Sequence, residues 1–233
     1  MHLFYTPDIS GDTYTLSEEE SQHCTRVLRL GAGDAVHLTD GRGGLYEARI
    51  ADAHAKRCTV RITNVQREVG RRSGYLHVAL APTKNIERYE WFLEKATEIG
   101  VDEITPLLCE RSERKVVKAE RLEKVITAAV KQSLKAYHPT LHPMQSFAAF
   151  AAQPFDGVKC IAHCMASQKI PLQNAVQPCG RTLTLIGPEG DFSPTEVALA
   201  RQNGFVEVSL GNSRLRTETA GVVACCVAAT CSP

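Results

Sequence analysis

The first part of the chain has the alternating apolar and polar positions of half-buried β-strands. Strands are predicted at 35–39, 45–50 and 58–65, and the glycine-rich segment 40–44 favours a hairpin between the first two. The pattern over 18–30 predicts one helix. Several short strands in so few residues suggest a small barrel.

Beyond a polar, glycine-bearing linker, buried strands alternate with amphipathic helices. Strands are predicted at 76–81, 104–108, 158–163, 183–186 and 206–210, and helices at 87–99, 120–137, 193–203 and 217–231. Pro106 would place its strand at a sheet edge or end it early. Leu134 is expected to face inward from the second helix. The alternation predicts a mostly parallel sheet with helices on both faces.

Two polar loops with glycines follow strands late in the chain. The first, 187–192, leads into a helix start at which Ser193, Pro194 and Glu196 form a capping box. The second, 211–216, precedes the last helix. Because α/β proteins bind ligands at the carboxyl edge of the sheet, we expect the two loops to build one pocket.

Charge is unevenly distributed along a chain whose net charge is only +1. Residues 26–72 contain ten basic and five acidic side chains, and residues 111–135 contain eight basic and three acidic ones, so each tract has a local balance of +5. Two such tracts are compatible with a phosphate-binding face. For either tract alone, a solvated surface of mixed charge is the simpler alternative.

The sequence predicts neither a membrane span nor a metal site. It lacks a signal peptide and an apolar run of bilayer length, so we expect a soluble, cytoplasmic protein. Its nine cysteines are scattered, and although Cys160 and Cys164 flank His163, no second pair completes a zinc site. Buried reduced thiols and no metal are the expectation.

Familiar catalytic motifs are missing. The sequence contains neither the P-loop nor the dinucleotide-binding glycine pattern, which argues against an NTPase and against a nicotinamide-dependent oxidoreductase. It also lacks the Gly-x-Ser-x-Gly and His-Glu-x-x-His patterns of hydrolases. We interpret His23, His77 and His163 as packing or hydrogen-bonding residues.

Four motifs nevertheless stand in a fixed order. They are His23-x-x-x-Val27-Leu28-Arg29; Lys95-Ala96-Thr97-Glu98-Ile99-Gly100-Val101; Gln132-Ser133; and Gly187-Pro188-Glu189-Gly190 with Leu210-Gly211 and Leu215-Arg216-Thr217-Glu218-Thr219-Ala220. Together they resemble the RsmE-type RNA methyltransferases of the SPOUT superfamily over nearly the whole chain. Five features depart from that pattern. Asp191 replaces a glycine, Lys131 a glutamate and Lys135 an arginine. The opening Met-x-Arg pattern is not matched, with His2 nearby instead, and Ser213-Arg214 replaces the usual basic–aliphatic order.

The resemblance implies an α/β fold of two domains. A PUA-like β-barrel that binds RNA is expected at 1–70, and a SPOUT-type α/β methyltransferase domain with a trefoil knot at 75–233. It also implies a homodimer that uses S-adenosylmethionine to methylate N3 of one uridine in 16S ribosomal RNA, either free or in the assembled small subunit.

The same resemblance implies a set of cofactor-binding residues in the two late loops. They are Leu185, Ile186, Gly187, Pro188, Glu189, Gly190, Leu210, Gly211, Leu215, Arg216, Thr217 and Ala220. Among these, Leu185, Leu210 and Leu215 are expected to form apolar walls for the adenine. Glu189 has an alternative role as an acceptor for loop N–H groups.

For catalysis we expect Arg216, with Arg29 or Arg111, to stabilise charge that develops on the uracil carbonyl oxygens. Glu218, or a water that it holds, is the candidate proton acceptor. A carboxylate that interacts with the helix dipole is an equally good interpretation of Glu218.

RNA contacts are expected at exposed cations from both basic tracts. They are Arg26, Arg29, Arg61, Arg111, Arg114 and Lys115. Because N3 is hidden in a base pair, the target base must be unpaired or flipped. Affinity should fall with salt, with a log–log slope of roughly −0.7 per neutralised phosphate.

Two alternatives to this function remain. Another SPOUT enzyme, acting on transfer RNA or on a ribose 2′-hydroxyl, would use the same cofactor pocket. A ribosome-assembly or RNA-binding protein without catalysis is the other, although the intact glycine loop and the Arg216-Thr217-Glu218 segment argue against it.

Overall fold

The computed structural model describes residues 1–231, and the chain divides into two compact units. The first unit consists of Met1–Arg71 and Val130–His138, and the second of Arg72–Ala129 and the chain from Pro139 onward. Positions 232 and 233, which end the predicted second domain, lie outside the described residues.

A five-stranded sheet forms the first unit, in the order β1-β3-β4-β5-β2. Its strands are β1 (Leu3–Tyr5), β2 (Thr13–Thr15), β3 (Ala35–Thr39), β4 (Leu45–Asp52) and β5 (Thr59–Gln66). β1 and β3 are parallel, whereas the other pairs are antiparallel. Tyr46, Ala48 and Ile50 alternate with more exposed neighbours and face an apolar core that includes Phe4 and Leu38. The predicted strands and hairpin are confirmed.

The helix predicted over 18–30 is wrong beyond its first turns. Helix α1 covers only Glu18–Gln22 and is followed by a π-helical turn, His23–Val27, in which Leu28 N–H donates to His23 O at 2.9 Å. The backbone of Arg29 then takes a left-handed conformation with φ 57°. The period of apolar residues alone does not distinguish a π-helical turn, with hydrogen bonds between residues five apart, from an α-helix, in which they are four apart.

The second unit contains a parallel sheet in the order β11-β13-β10-β12-β6-β7-β8, with β9 also paired to β7. Its strands are β6 (Tyr75–Leu80), β7 (Glu103–Leu108), β8 (Thr140–Leu141), β9 (Gln145–Ser146), β10 (Val158–Ala162), β11 (Ile170–Pro171), β12 (Arg181–Ile186) and β13 (Val206–Ser209). Every pairing is parallel, as the alternation of strands and helices predicts. The chain's path through the knot implied by the resemblance stays a prediction.

Six helices of the described residues follow the first strand of this sheet, and all belong to the second unit except the last three residues of α3, which belong to the first. They are α2 (Ile86–Ile99), α3 (Ala119–Gln132), α4 (Phe147–Ala151), α5 (Leu172–Ala175), α6 (Pro194–Gln202) and α7 (Thr217–Cys231). Helix α3 ends before the predicted residue 137, because Leu134 adopts a left-handed backbone with φ 55°, and its side chain is exposed rather than inward. Within residues 1–231, no helix has the length and apolar character needed to cross a bilayer.

Helices cover both faces of the parallel sheet, as predicted. Ala79, Leu183 and Leu185 belong to a core that also contains Phe150 of α4 and Val197 of α6. On the opposite face, α7 packs against β6, β12 and α2. Strand side chains alternate between these two cores.

Pro106 lies inside the sheet, so the predicted edge position is wrong. β7 has β6 on one side, where Pro106 pairs with Leu80. On the other side, β8 pairs only with Glu103 and Ile104, and β9 only with Leu107 and Leu108. The missing proline N–H therefore falls in the gap between two short neighbouring strands, where no ladder bond is lost.

His77 is a buried, neutral side chain in the middle of this unit. Burial lowers its pKa to about 4, against the opposing effect of the nearby Glu103 carboxylate. Its Nε2 lies 2.8 Å from the hydroxyl oxygen of Thr105. The interpretation of His77 as a packing or hydrogen-bonding residue is confirmed.

We predict that Gly221→Ala destabilises the protein. A Cβ at Gly221 would lie 2.4 Å from Leu80 Cδ1 and 2.7 Å from the Phe92 ring, both fully buried. Overpacking typically lowers the free energy of unfolding by ~1–3 kcal/mol. This loss exceeds the ~1 kcal/mol of stability that alanine normally provides over glycine inside a helix. We expect a melting midpoint lower by roughly 2–8 °C.

Cys226→Ala is the matched control, because Cys226 is exposed on the same helix. Its midpoint should match that of the wild-type protein. A Gly221→Ala protein as stable as wild type would contradict the proposed close contact of α7 with the sheet.

Candidate active site

Loops from three neighbouring strands meet at the carboxyl edge of the parallel sheet. Strands β13, β10 and β12 are adjacent, and the chain that follows each of them lines one cavity of about 890 Å³. We call it the loop cavity. Its walls are residues 187–189 after β12, 210–217 after β13 and 163–165 after β10.

The loop cavity is lined by most of the residues expected to bind a cofactor. They are Ile186, Gly187, Pro188, Glu189, Leu210, Gly211, Leu215, Arg216, Thr217 and Ala220. Leu185, a proposed adenine wall, is instead fully buried in the core shared with α4 and α6. Gly190 packs against the side chain of Arg111, whose Cβ lies 3.3 Å from where a glycine Cβ would stand.

The first loop is held by a tight turn. A Cβ at Gly187 would lie 3.1 Å from the buried ring of Phe192, so glycine permits this close approach. Asp191 has φ 62°, and its N–H donates to Pro188 O at 2.9 Å. Its carboxylate accepts from Cys164 N–H at 2.9 Å and thereby connects the loops after β12 and β10. Aspartate tolerates the left-handed backbone that usually selects glycine.

Charged side chains fix the outer part of the same loop. Glu189 Oε1 accepts from Lys84 N–H at 2.9 Å. Arg111 donates to Gly190 O at 2.9 Å, and Arg114 donates to Thr83 O at 2.9 Å. Arg111 therefore orders the loop after β12, and Arg114 orders the segment that follows β6.

Helix α6 begins directly after this loop with the predicted capping box. The Ser193 hydroxyl accepts from Glu196 N–H at 3.3 Å, and Glu196 Oε2 accepts from Ser193 N–H at 2.8 Å. Glu196 Oε1 also accepts from Glu110 N–H at 2.8 Å. The cap thus joins the start of α6 to the segment after β7 and fixes the loop's far end.

The candidate catalytic residues lie at the second loop and the start of α7. Arg216 is exposed and lines the loop cavity. Glu218 is buried, with Oε1 4.0 Å from Nε of Arg88, another lining residue. Its Oε2 is buried and has no hydrogen-bond partner among the described residues. Arg29 is exposed but belongs to the first unit, whereas the loop cavity is lined by the second.

His163 is a cavity residue whose place the sequence did not indicate. Its Nε2 lies 2.8 Å from Glu207 Oε2, and Glu207 also accepts bonds from Ser167 and Arg201. The Arg201 bond is the largest cause that lowers the pKa of Glu207 to about 2. Burial lowers the pKa of His163. Its Nδ1 is buried without a partner within residues 1–231.

Four other lining residues were also missed. Cys164, Met165 and Lys169 follow β10, and Arg88 belongs to α2. Val208 and Ser209 lie at the end of β13, whereas Asn212, Ser213 and Arg214 belong to the loop 211–216 that was predicted to build the pocket. The sequence signal that could have found the residues after β10 is their position, directly after a buried strand beside the two glycine loops.

The remaining predicted RNA contacts are spread over both units. Arg26 and Arg61 are exposed in the first unit and Lys115 in the second. In the first unit Lys131 bonds to Glu20 at 2.6 Å, and both line a smaller cavity beside Arg26.

Two families of known proteins match the chain. Residues 71–229 match a family described as an RNA methyltransferase domain, and residues 16–63 match an RNA methyltransferase PUA domain. A curated relative from Synechocystis, ribosomal RNA small subunit methyltransferase E, is 30% identical over 91% of this chain and 71% of its own length.

Two solved structures have the same fold over almost their full length. A protein of Porphyromonas gingivalis, described as a probable rRNA-methyltransferase, has 44% identity and a TM-score of 0.90, covering 97% of this chain and 95% of its own. Ribosomal RNA small subunit methyltransferase E of Neisseria gonorrhoeae, bound to S-adenosyl methionine, has 26% identity and a TM-score of 0.88 with the same coverage. The chain therefore belongs to the RNA methyltransferase family that includes ribosomal RNA small subunit methyltransferase E.

Proposed function

We propose that this protein transfers a methyl group from S-adenosylmethionine to N3 of one uridine in the RNA of the small ribosomal subunit. Family membership supports methyl transfer to ribosomal RNA, and the N3 position rests on the sequence motifs. The observation that carries the proposal is the loop cavity, which the glycine-bearing loops after β12 and β13 build together.

The loop cavity fits an adenosine cofactor without a pyrophosphate. Its volume of about 890 Å³ lies in the range of small-molecule sites, roughly 300–1,000 Å³. Gly211 lines the cavity with open space where a Cβ would stand, so its backbone can approach a ligand, and Leu210 and Leu215 supply apolar surface. The unpartnered Nδ1 of His163 offers a further polar contact. When bound, S-adenosylmethionine supplies an electrophilic methyl group.

Methylation at N3 requires that the uracil imide lose its proton. Arg216 is an exposed residue of the cavity wall, and its charge would stabilise the carbonyl oxygens as they become negative. Glu218 lies one residue beyond the lining residue Thr217, and its buried Oε2 lacks a partner among residues 1–231. We assign it the role of proton acceptor through a water, because Glu218 is not itself part of the lining.

RNA would be held mainly by exposed cations outside the loop cavity. Arg26, Arg29 and Arg61 are exposed on the unit that contains the PUA match. Arg111 and Arg114 each use part of their guanidinium N–H groups to bond loop carbonyls. Their other N–H groups would donate to phosphate. A homodimer that completes the site with Arg29 or Arg111 of a second copy is part of this proposal.

The modified nucleoside tests the proposed reaction. Small-subunit RNA from cells that lack the gene should gain one N3-methyluridine when incubated with the purified protein and S-adenosylmethionine. Nucleoside mass spectrometry and fragment mapping measure the product. A ribose-methyl product, methylated transfer RNA or no product would contradict the proposal, since each corresponds to another SPOUT enzyme or to a binding protein without catalysis.

Glu218→Gln tests the proton acceptor. A general base contributes typically 10²–10⁴-fold, so we expect a single-turnover rate at least about 100-fold lower, with affinity for S-adenosylmethionine unchanged. Rapid-quench assays and calorimetry measure the two quantities. Glu120→Gln, an exposed carboxylate in the first turn of α3, is the control and should keep the rate. A Glu218→Gln enzyme with the wild-type rate would leave Glu218 only its helix-start role.

A further inference from the structure

A second cluster of chemically active side chains lies away from the loop cavity, in the same unit. His77 on β6 is paired in register with Glu103 on β7, and Glu103 is paired with Thr140, two residues before His142. Since side chains at i and i+2 share a sheet face, all three residues point to one side. They lie toward the amino ends of the strands, whereas the loop cavity is at the carboxyl ends.

The potential ligand atoms of this cluster nearly have metal-binding geometry. His142 Nε2 lies 2.7 Å from Glu103 Oε2, and His77 Nδ1 lies 3.6 Å from the same oxygen. One ligand atom from each residue lies within 4.8 Å of the other two. Zinc bonds of about 2.0–2.1 Å in a tetrahedron place ligand atoms roughly 3.4 Å apart, so small side-chain rotations would suffice.

The surroundings of the cluster orient these atoms. Nε2 of His77 lies 2.8 Å from the buried Thr105 hydroxyl oxygen, and a proton donated there leaves Nδ1 free to bind a cation. The His77 ring also packs edge-on against Phe150 at 5.5 Å between centroids. Outer hydrogen bonds and packing of this kind hold metal ligands in their binding orientation.

The cluster is partly accessible from solvent. The side chain of His77 is 9% exposed, whereas those of Glu103 and His142 are 29% and 32% exposed. A metal ion can therefore reach Glu103 and His142 from solvent, and the buried His77 would then complete the set of protein ligands. Arg181, stacked at 3.7 Å on the neighbouring Tyr75 ring, is a cation that would reduce the affinity.

We propose that His77, Glu103 and His142 form a binding site for a divalent transition metal, with Zn²⁺ as its first occupant. Two imidazoles and one carboxylate suit zinc, whereas Mg²⁺ and Ca²⁺ prefer all-oxygen sites. The fourth position is left for water. Bound metal would fasten the two-residue strand β8 to β6 and β7 and so stabilise this part of the sheet.

This proposal replaces the sequence-based expectation of no metal. That expectation considered ligands at compact spacing, whereas these residues come from three separate segments that only the sheet register brings together. The site is independent of the proposed function, because it shares no residue with the loop cavity.

The full chain, stripped of metal by a chelator, should be titrated with ZnCl₂ by calorimetry and with Co²⁺ by absorption spectroscopy. We expect one Zn²⁺ per chain and visible bands of tetrahedral cobalt without a thiolate charge-transfer band. The second readout matters because Cys164, Cys179 and Cys226 are exposed and could bind zinc.

Variants separate the site from adventitious binding. Glu103→Gln and His142→Ala should each lower the affinity at least about 100-fold, and Thr105→Val, which removes only the outer hydrogen bond, about 10–100-fold. His54→Ala removes an exposed histidine of the first unit and should bind as wild type does. Circular dichroism of the metal-free variants verifies that they fold.

The proposal is overturned if the wild-type chain binds no zinc, or if the zinc affinity survives in both Glu103→Gln and His142→Ala. It is also overturned if cobalt shows thiolate ligation, because the metal would then occupy cysteines. If one of the two variants fails to fold, the affinity of the other together with that of Thr105→Val decides.

Discussion

The parallel register of β10, β12 and β13 is the constraint on which the proposed activity depends. Five consecutive pairs join β10 to β12, the last of them Ala162 with Ile186, and β13 continues the ladder on the other side of β10. Because these strands end at one edge, three loops distant in sequence meet around a common space. A slip of one residue in any ladder would turn the side chains of that strand to the opposite face and remove its share of the cavity wall.

Two of the buried polar atoms that lack a hydrogen-bond partner among the described residues lie in or next to this cavity. Glu218 Oε2 and His163 Nδ1 are buried without partners among the described residues, and an unmade hydrogen bond of this kind typically costs about 1–3 kcal/mol. The surrounding contacts hold them in place, since Glu207 fixes the His163 ring and Arg88 lies beside Glu218. A bound cofactor, substrate or water would supply hydrogen-bond partners for these atoms. Functional sites commonly contain such groups at a cost in the stability of the folded protein.

The sequence predicted the architecture well where local pattern and fold agree. The bounds of α7, the capping box at Ser193 and the parallel sheet all follow from apolar periodicity and cap chemistry. It was wrong where tertiary context overrides these signals, as at Pro106, which sits opposite the gap between β8 and β9. The sequence could not indicate the His163–Glu207 contact or the pairing of His77 with Glu103, because no local motif specifies the order of strands in a sheet.

Direct observation of the cofactor tests the central claim. A crystal of this protein soaked with S-adenosylmethionine, or with its demethylated product, should show the nucleoside in the loop cavity between residues 187–189 and 210–217, with adenine against Leu210 and Leu215 and the side chain of Arg216 facing the sulfur end. Clear density for the nucleoside at any other place, or a cavity that stays empty at saturating concentration, would contradict the account.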